Sequence, residues 1–317
     1  MAQNNVRPKD IIPDPILTTW AVQYGVGGGF IHDQVAPVMN VQWPEYKFPR
    51  YTADQISREI KLTVAPGGKP SLYTHGKPTF VTGSCKRRAL DGQVIREVAL
   101  ANRGPFASER AMVEKLTHNI RLDVENSVKT ILDASSNTAT PSVKWDASSG
   151  TIVIEKNIDD AKEAFELLCG VPATHMIMPR AVANVVKRNS DIKSLRKGTN
   201  ESLLIDGEIP DTVFGLRVVI PGAIQNSANP GLAFSSARVW NTDTVYLLHV
   251  NPAISADGET LTALSQVRYS EWDVPYAAYR WEETHKSQRV TWVSVDVHQT
   301  EETVCADAIY LLTDVLT

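Results

Sequence analysis

SERAMVEKLTHNIRLDVENSVKTILDA, residues 108–134, decides the reading of this chain. Met112, Leu116, Ile120, Val124, Val128 and then Ile131 or Leu132 recur three or four apart, the spacing of one helical face. The opposite, polar face carries Glu114, Lys115, Arg121, Glu125 and Lys129, with Glu125 and Lys129 in the favourable i,i+4 order. Ser108 suits the N-cap, and Glu109 faces the positive helix end. The polar run Ser135–Thr138 and then Pro141 stop the helix. About 27 residues make a rod of roughly 40 Å, where an ordinary globular helix has about 11 residues. Something broad must lie along so long an apolar stripe.

The totals leave room for that. A chain of 317 residues buries roughly 75% of the surface its unfolded form exposes, and its length suggests about two domains. No apolar run approaches the ~18 residues of a membrane span. The start, MAQNNVRPKD, lacks the pattern of a secretory signal, so the chain is not expected to be exported. Cys85, Cys169 and Cys305 lie far apart without metal or redox spacing and read as reduced thiols. A net charge of -4 argues against a dedicated nucleic-acid binder. Residues 1–100 carry 12 Lys+Arg against 8 Asp+Glu, so the front is +4 and the remainder -8. Such asymmetry suits attraction between copies of the chain; ordinary scatter is the alternative.

N-terminal to the long helix the chain reads as extended. Pro8, Pro13 and Pro15 favour extended backbone, and Gly25 with Gly27-Gly28-Gly29 marks a joint. Residues 1–40 are therefore expected to form an arm. Residues 41–95 read as a long hairpin: Glu59–Val64 alternates as a strand, Ala65–Pro70 is turn chemistry, and Leu72–Phe80 returns. Trp43, Tyr46, Phe48 and Tyr51 cluster near its base. An isolated hairpin is marginal in water, so this one is expected to pack on another copy. A short helix is expected over 91–102, broken by Gly104-Pro105.

C-terminal to the long helix the pattern changes to alternating helix and strand. Asn157 starts a helix that Gly170 ends, and Thr174–Met178 is a buried strand. Pro179 opens a helix over 180–188, and another follows over 191–197. Val213–Ile220 and Val245–Val250 read as strands of a compact α/β domain. Residues 289–298 alternate strictly over ten positions, a long strand with one polar face, and Cys305–Leu316 returns to a core.

No stretch carries convincing chemistry. The glycines at 25–29 lack a following Lys-Ser/Thr and read as a hinge. Cys169 and His175 sit in apolar surroundings and read as core. Glu282, Glu283 and His285 read as a charge run, because adjacent strand residues point to opposite faces. His118 is expected to face solvent, and Lys86-Arg87-Arg88 to be a solvated turn or an intersubunit contact. HExxH, GxSxG and CxxC do not occur. No catalytic, cofactor or metal site is expected.

The order of parts (arm, hairpin, long helix, compact α/β domain, returning strands) resembles the major capsid proteins of tailed bacteriophages, the HK97-like fold, over nearly the whole chain. Phe30-Ile31 through Val35-Ala36-Pro37-Val38 to Val41 resembles the junction of arm and hairpin. The pair of helices ending in Arg121-Leu122-Asp123-Val124-Glu125 resembles the run-up to and start of the family's spine helix. Trp145-Asp146, Ile158-Asp159-Asp160-Ala161, Gly170-Val171-Pro172 and Met176-Ile177-Met178-Pro179 resemble the entry to its axial domain. Phe214-Gly215-Leu216-Arg217-Val218 and Val239-Trp240-Asn241-Thr242-Asp243 continue it. None of these is specific alone; their order and spacing carry the resemblance.

The resemblance implies an α+β fold with an extended N-terminal arm (1–40) and a long β-hairpin, the E-loop (41–90). It implies a peripheral domain (91–156 and 266–300) with spine helix 108–134, and an α/β axial domain (157–265 and 301–317). It also implies pentamers and hexamers closing into an icosahedral shell around double-stranded phage DNA, hence a virion protein assembled in the host cytoplasm. A separate scaffold protein, a portal and decoration proteins would be its partners, with non-specific contact to DNA and none to membrane. An encapsulin-type nanocompartment shell is the alternative within the fold, and a soluble α/β enzyme the rival outside it. Trp43, Tyr46, Phe48 and Tyr51 are the candidate intersubunit contacts, because aromatics dominate interface hot spots; packing inside the same chain is the other outcome.

Overall fold

The long helix runs from Pro105 to Asp133, 29 residues, or about 44 Å. Proline costs nothing at its first position, where backbone N–H groups have no intrahelical acceptor. Val113, Leu116, Ile120, Val124, Val128 and Leu132 are all buried. The structure, a computed structural model, describes residues 12–24, 29–50, 63–64, 68–69, 79–101, 105–147, 152–189, 209–229, 231–253, 261–285 and 288–317. The expected strand Glu59–Val64, the turn at Ala65–Pro70 and the helix over 191–197 lie largely outside those residues.

Among the described residues, the first half of the helix lies on a five-stranded sheet. Its central strand, Gln288–Thr303, contains the alternating run expected over 289–298. Leu264–Tyr269 and Ala277–His285 pair with successive halves of one edge, and Arg87–Ile95 with the other, all antiparallel. Val38–Val41 adds alongside Leu264–Tyr269 in parallel. Alternation sends Val293, Val295 and Val297 to the helix side, where they pack with Val94, Val113, Leu116 and Ile120.

Two local expectations give way here. Residues 87–95 form a strand, and the helix expected over 91–102 is confined to Arg96–Ala101. The reason is tertiary. Gly92 faces the long helix, and a Cβ there would lie 2.6 Å from Met112 Cγ, so the strand is shaped to receive that side chain. Likewise the N-terminal segment is not extended throughout: Pro15–Gln23 is a helix. Asp14 Oδ1 accepts from the N–H groups of Ile16 (2.9 Å) and Leu17 (3.2 Å), and Pro15 takes the first position. Leu17 and Ala21 are buried in the same core as the sheet and the long helix, and Arg110 lies 3.5 Å over the Trp20 ring. The proline that signals extended chain here starts a helix.

The second half of the long helix enters another core. A six-stranded sheet runs in the order Thr138–Ala139, Ile309–Leu312, Val245–Leu248, His175–Ile177, Leu216–Val219, Thr212–Val213. Helices Ile154–Cys169 and Arg180–Arg188 share its core, in which Phe165, Met176, Tyr246 and Leu247 are fully buried. Gly170 ends the first helix at φ 73° and Pro179 precedes the second, as expected. The run read as one strand over 213–220 is a tight hairpin, because Phe214 and Gly215 both take positive φ. Val128 and Leu132 belong to this core, and so does Trp145, whose backbone N–H donates to the Val315 carbonyl at 2.8 Å. The stretch after the helix therefore packs with the six-stranded unit.

Glu109, in the first turns of the long helix, is buried with Arg280 Nη2 3.1 Å away. Burial pushes its carboxyl above the usual range more than Arg280 pulls it down. With the folded value above the unfolded one, the native state binds the extra proton. Stability is therefore full below the ordinary glutamate range, about pH 4, and falls as pH rises through the folded value. Denaturant melts at pH 4 and pH 7 are expected to show a smaller fall for Glu109→Gln than for the native chain.

Candidate assembly surfaces

The polar face of the long helix is only partly solvated: Lys115 is exposed, but Arg121 and Glu125 are not. Glu125 is fully buried, with four groups donating to its carboxylate. Ile31 N–H lies 3.2 Å from both oxygens, and His32 N–H and Nδ1 lie 2.9 Å from Oε2. Trp240 Nε1 donates to Oε1 at 2.6 Å. A buried carboxylate is tolerable only when its lone pairs are filled in this way. The expected Glu125–Lys129 pair does not form; Lys129 Nζ sits 3.1 Å from Asp133 instead. Arg121 is buried too, its guanidinium 5.3 Å from the Tyr276 ring. His118, expected in solvent, lies 5.2 Å from the Phe30 ring and 6.4 Å from that of Tyr24. The N-terminal segment covers part of the helix's polar side, at His118 and Glu125.

A polar chain continues from this point. Gln266 Nε2 donates to the carbonyls of His32 (2.9 Å) and Ala36 (2.8 Å). Gln299 Nε2 donates to Gln266 Oε1 at 2.7 Å, and its own Oε1 accepts from Arg268. Gln299 also reaches Glu301, which pairs with Arg88, and Arg88 Nη1 lies 3.2 Å from Asp123 on the long helix. Arg87 Nη2 lies 2.9 Å from Asp296. The basic cluster at 86–88, read as a solvated turn or an intersubunit contact, thus spends both arginines on ion pairs within its own chain.

The hairpin is anchored at its base. Glu45–Arg50 pairs antiparallel with Thr79–Ser84. Tyr46 packs within its own chain, buried with Met39, Cys85, Val267 and Val304, and its hydroxyl donates to Glu302 Oε1 at 3.0 Å. A Cβ at Gly83 would lie 2.6 Å from the Tyr46 ring, so glycine there seats it. Trp43 is 73% exposed. Tyr51 and the side chain of Phe48 lie outside the described residues. Further apolar side chains meet solvent elsewhere: Phe80 on the hairpin, Leu167 on the 154–169 helix, and Ile224, Leu232 and Phe234 in the ribbon around strands Ile224–Asn226 and Ser236–Arg238. Exposed apolar groups this large mark contact surfaces when they cluster.

The remaining sequence candidates resolve as structure. Cys169 meets Cys305 in the core, and Thr174 Oγ1 lies 2.9 Å from His175 Nδ1. Glu283 accepts from Trp292 Nε1 at 2.9 Å and Glu282 from Arg280; the side chain of His285 lies outside the described residues. Gly29 takes φ +64°, and 25–28 lie outside the described residues. No described helix is long and apolar enough to cross a membrane. Burial pushes the Cys85 thiol up to about 11, and a hydrogen bond from Cys169 lowers Cys305 to about 7 while raising Cys169. All three thiols are buried, so a bulky thiol reagent at pH 8 is expected to label them only after unfolding; rapid labelling of the native chain contradicts this.

The architecture, a long helix bridging a strand-rich sheet and an α/β unit with a hairpin anchored beside them, is a mixed α+β capsid fold. A phage-related protein from Bordetella bronchiseptica is similar with a TM-score of 0.67 at 19% identity, covering 96% of this chain and 98% of that one. The capsid of cyanophage P-SCSP1u gives 0.56 at 9% identity over 100% of this chain and 92% of that one. An encapsulin complex from Synechococcus elongatus gives 0.50 at 10% identity over 89% and 86%. No protein-family model matches the chain, and no curated protein does.

Proposed function

We propose that this chain is a major capsid protein, a structural subunit without catalytic activity that self-assembles into an icosahedral shell of pentamers and hexamers around double-stranded phage DNA. On this reading the long helix is the spine, the five-stranded sheet the peripheral domain and the six-stranded unit the axial domain. The hairpin at 45–84 is the base of the E-loop. The observation that carries the reading is similarity to a phage capsid over the full length of this chain. Exposed Trp43, Phe80, Leu232 and Phe234 are consistent with surfaces that copies cover. A separate scaffold protein, a portal and decoration proteins are the partners proposed with it, in a virion assembled in the host cytoplasm.

Similarity to an encapsulin favours one second reading, a nanocompartment shell enclosing an enzyme. Light scattering and negative-stain microscopy test both, on the purified chain with and without the products of neighbouring genes. Closed particles or five- and six-fold rings are expected, and cargo separates DNA-filled capsid from encapsulin. A stable monomer or dimer under every condition overturns the shell reading.

A further inference from the structure

Residues 29–36 thread between the two halves of the molecule as a strap. At its start the Gly29 carbonyl accepts from Gly222 N–H at 3.0 Å. This is a backbone-on-backbone crossing: a Cβ on Gly29 would lie 2.8 Å from Gly222 Cα. Two residues later Ile31 and His32 donate to Glu125, which also receives Trp240 Nε1 from the six-stranded unit's side. One further step on, Gln266 of the five-stranded sheet holds the strap's carbonyls at His32 and Ala36. Long helix, strap and six-stranded unit therefore meet at a single carboxylate, and the strap's own carbonyls tie the five-stranded sheet to that point.

We propose that Glu125 and the Gly29–Gly222 crossing form an angle-setting lock between the two halves of the subunit, and that this lock selects the curvature, hence the diameter, of the shell. The inference rests on the shell reading above. Apolar contact between the halves is non-directional and tolerates small rotations. Hydrogen bonds to one carboxylate are directional, and the glycine crossing has no slack, so together they admit one angle. In a head-to-tail assembly the rotation from copy to copy decides whether and where the ring closes. A small angular error inside each subunit is repeated in every copy. Buried polar nodes of this kind serve specificity more than stability, which is the signature the test looks for.

The test compares particles of the full native chain with those of Glu125→Gln and Gly222→Ala by negative-stain microscopy and light scattering. Glutamine keeps one acceptor and turns an amide toward groups that donate. Alanine at 222 places a Cβ 3.2 Å from Gly29 Cα and shifts the crossing by a few tenths of an ångström without changing charge. Both variants are expected to fold but to give roughly tenfold fewer particles of native diameter, replaced by other sizes or tubes, through loss of directional bonds and seating. A core variant that removes none of the lock's hydrogen bonds, Phe165→Ala, is expected to lower yield and leave the diameter unchanged. Native diameters from both lock variants overturn the lock and leave the shell reading standing. If Glu125→Gln does not fold, Gly222→Ala decides alone. If the native chain forms no closed particle, the shell reading falls and the lock falls with it.

Discussion

Trp43→Ala is expected to leave the subunit folded, with a melting temperature within about 2 °C of the native chain, while assembled particles fall roughly tenfold or more. Trp43 sits between strands Val38–Val41 and Glu45–Arg50 and exposes 73% of its surface, so truncating it removes little packing inside the chain. A tryptophan at the centre of an interface carries about 2 kcal/mol or more, and in a shell that loss recurs in every copy. Its neighbour in sequence provides the contrast. Tyr46→Ala would open the small core with Met39, Cys85, Val267 and Val304 and so strike the subunit first. Sedimentation of the folded variant against native particles measures the effect; normal particle yield from Trp43→Ala removes it from the interface.

Phe165→Ala is expected to destabilise the six-stranded unit by roughly 3–5 kcal/mol, the usual cost of removing a buried aromatic ring. Phe165 is fully buried in the last third of the Ile154–Cys169 helix, in the core that holds Met176 and Tyr246. Interiors are close-packed, so the ring's space cannot be refilled without moving strands that pair with one another. At roughly 2–4 °C per kcal/mol the melting temperature drops by about 6–20 °C. Leu167, two residues on and 81% exposed, is the internal control: its alanine variant is expected to melt within about 0.5 kcal/mol of native. Equal losses at the two positions contradict the assigned helix face.

The reach of the sequence is clearest in the long helix. Apolar residues spaced by four turn about 40° per step around a helix of 100° per residue. From Leu116 through Ile120, Val124 and Val128 to Leu132 the stripe therefore swings by roughly 160°. That drift is why the same helix faces the five-stranded sheet early and the six-stranded core late. It also brings Glu125 and Arg121 to the flank of the stripe in its second half, a signal that treating the stripe as straight conceals. Gln266 and Gln299 left no comparable trace, since glutamine in a strand commonly faces water and these two are satisfied by one another and by groups far away in the chain.

What the sequence by itself determined is what depends on neighbours along the chain. The long helix is set by its period, the central strand by its alternation, and the ends of the 154–169 and 180–188 helices by Gly170 and Pro179, whereas the long helix starts at Pro105 and not at the Ser108 cap that the sequence suggested. Tertiary structure alone decided the rest. Residues 87–95 became a strand by pairing along the central strand, where Gly92 leaves room for Met112, and Arg87 and Arg88 were paired with carboxylates more than 30 residues away in the chain. The N-terminal segment became a covering strap because Glu125 offered acceptors for its backbone. In each case the deciding energy is burial or a hydrogen bond between groups far apart in sequence, and local propensity carries no information about a partner it has not yet met.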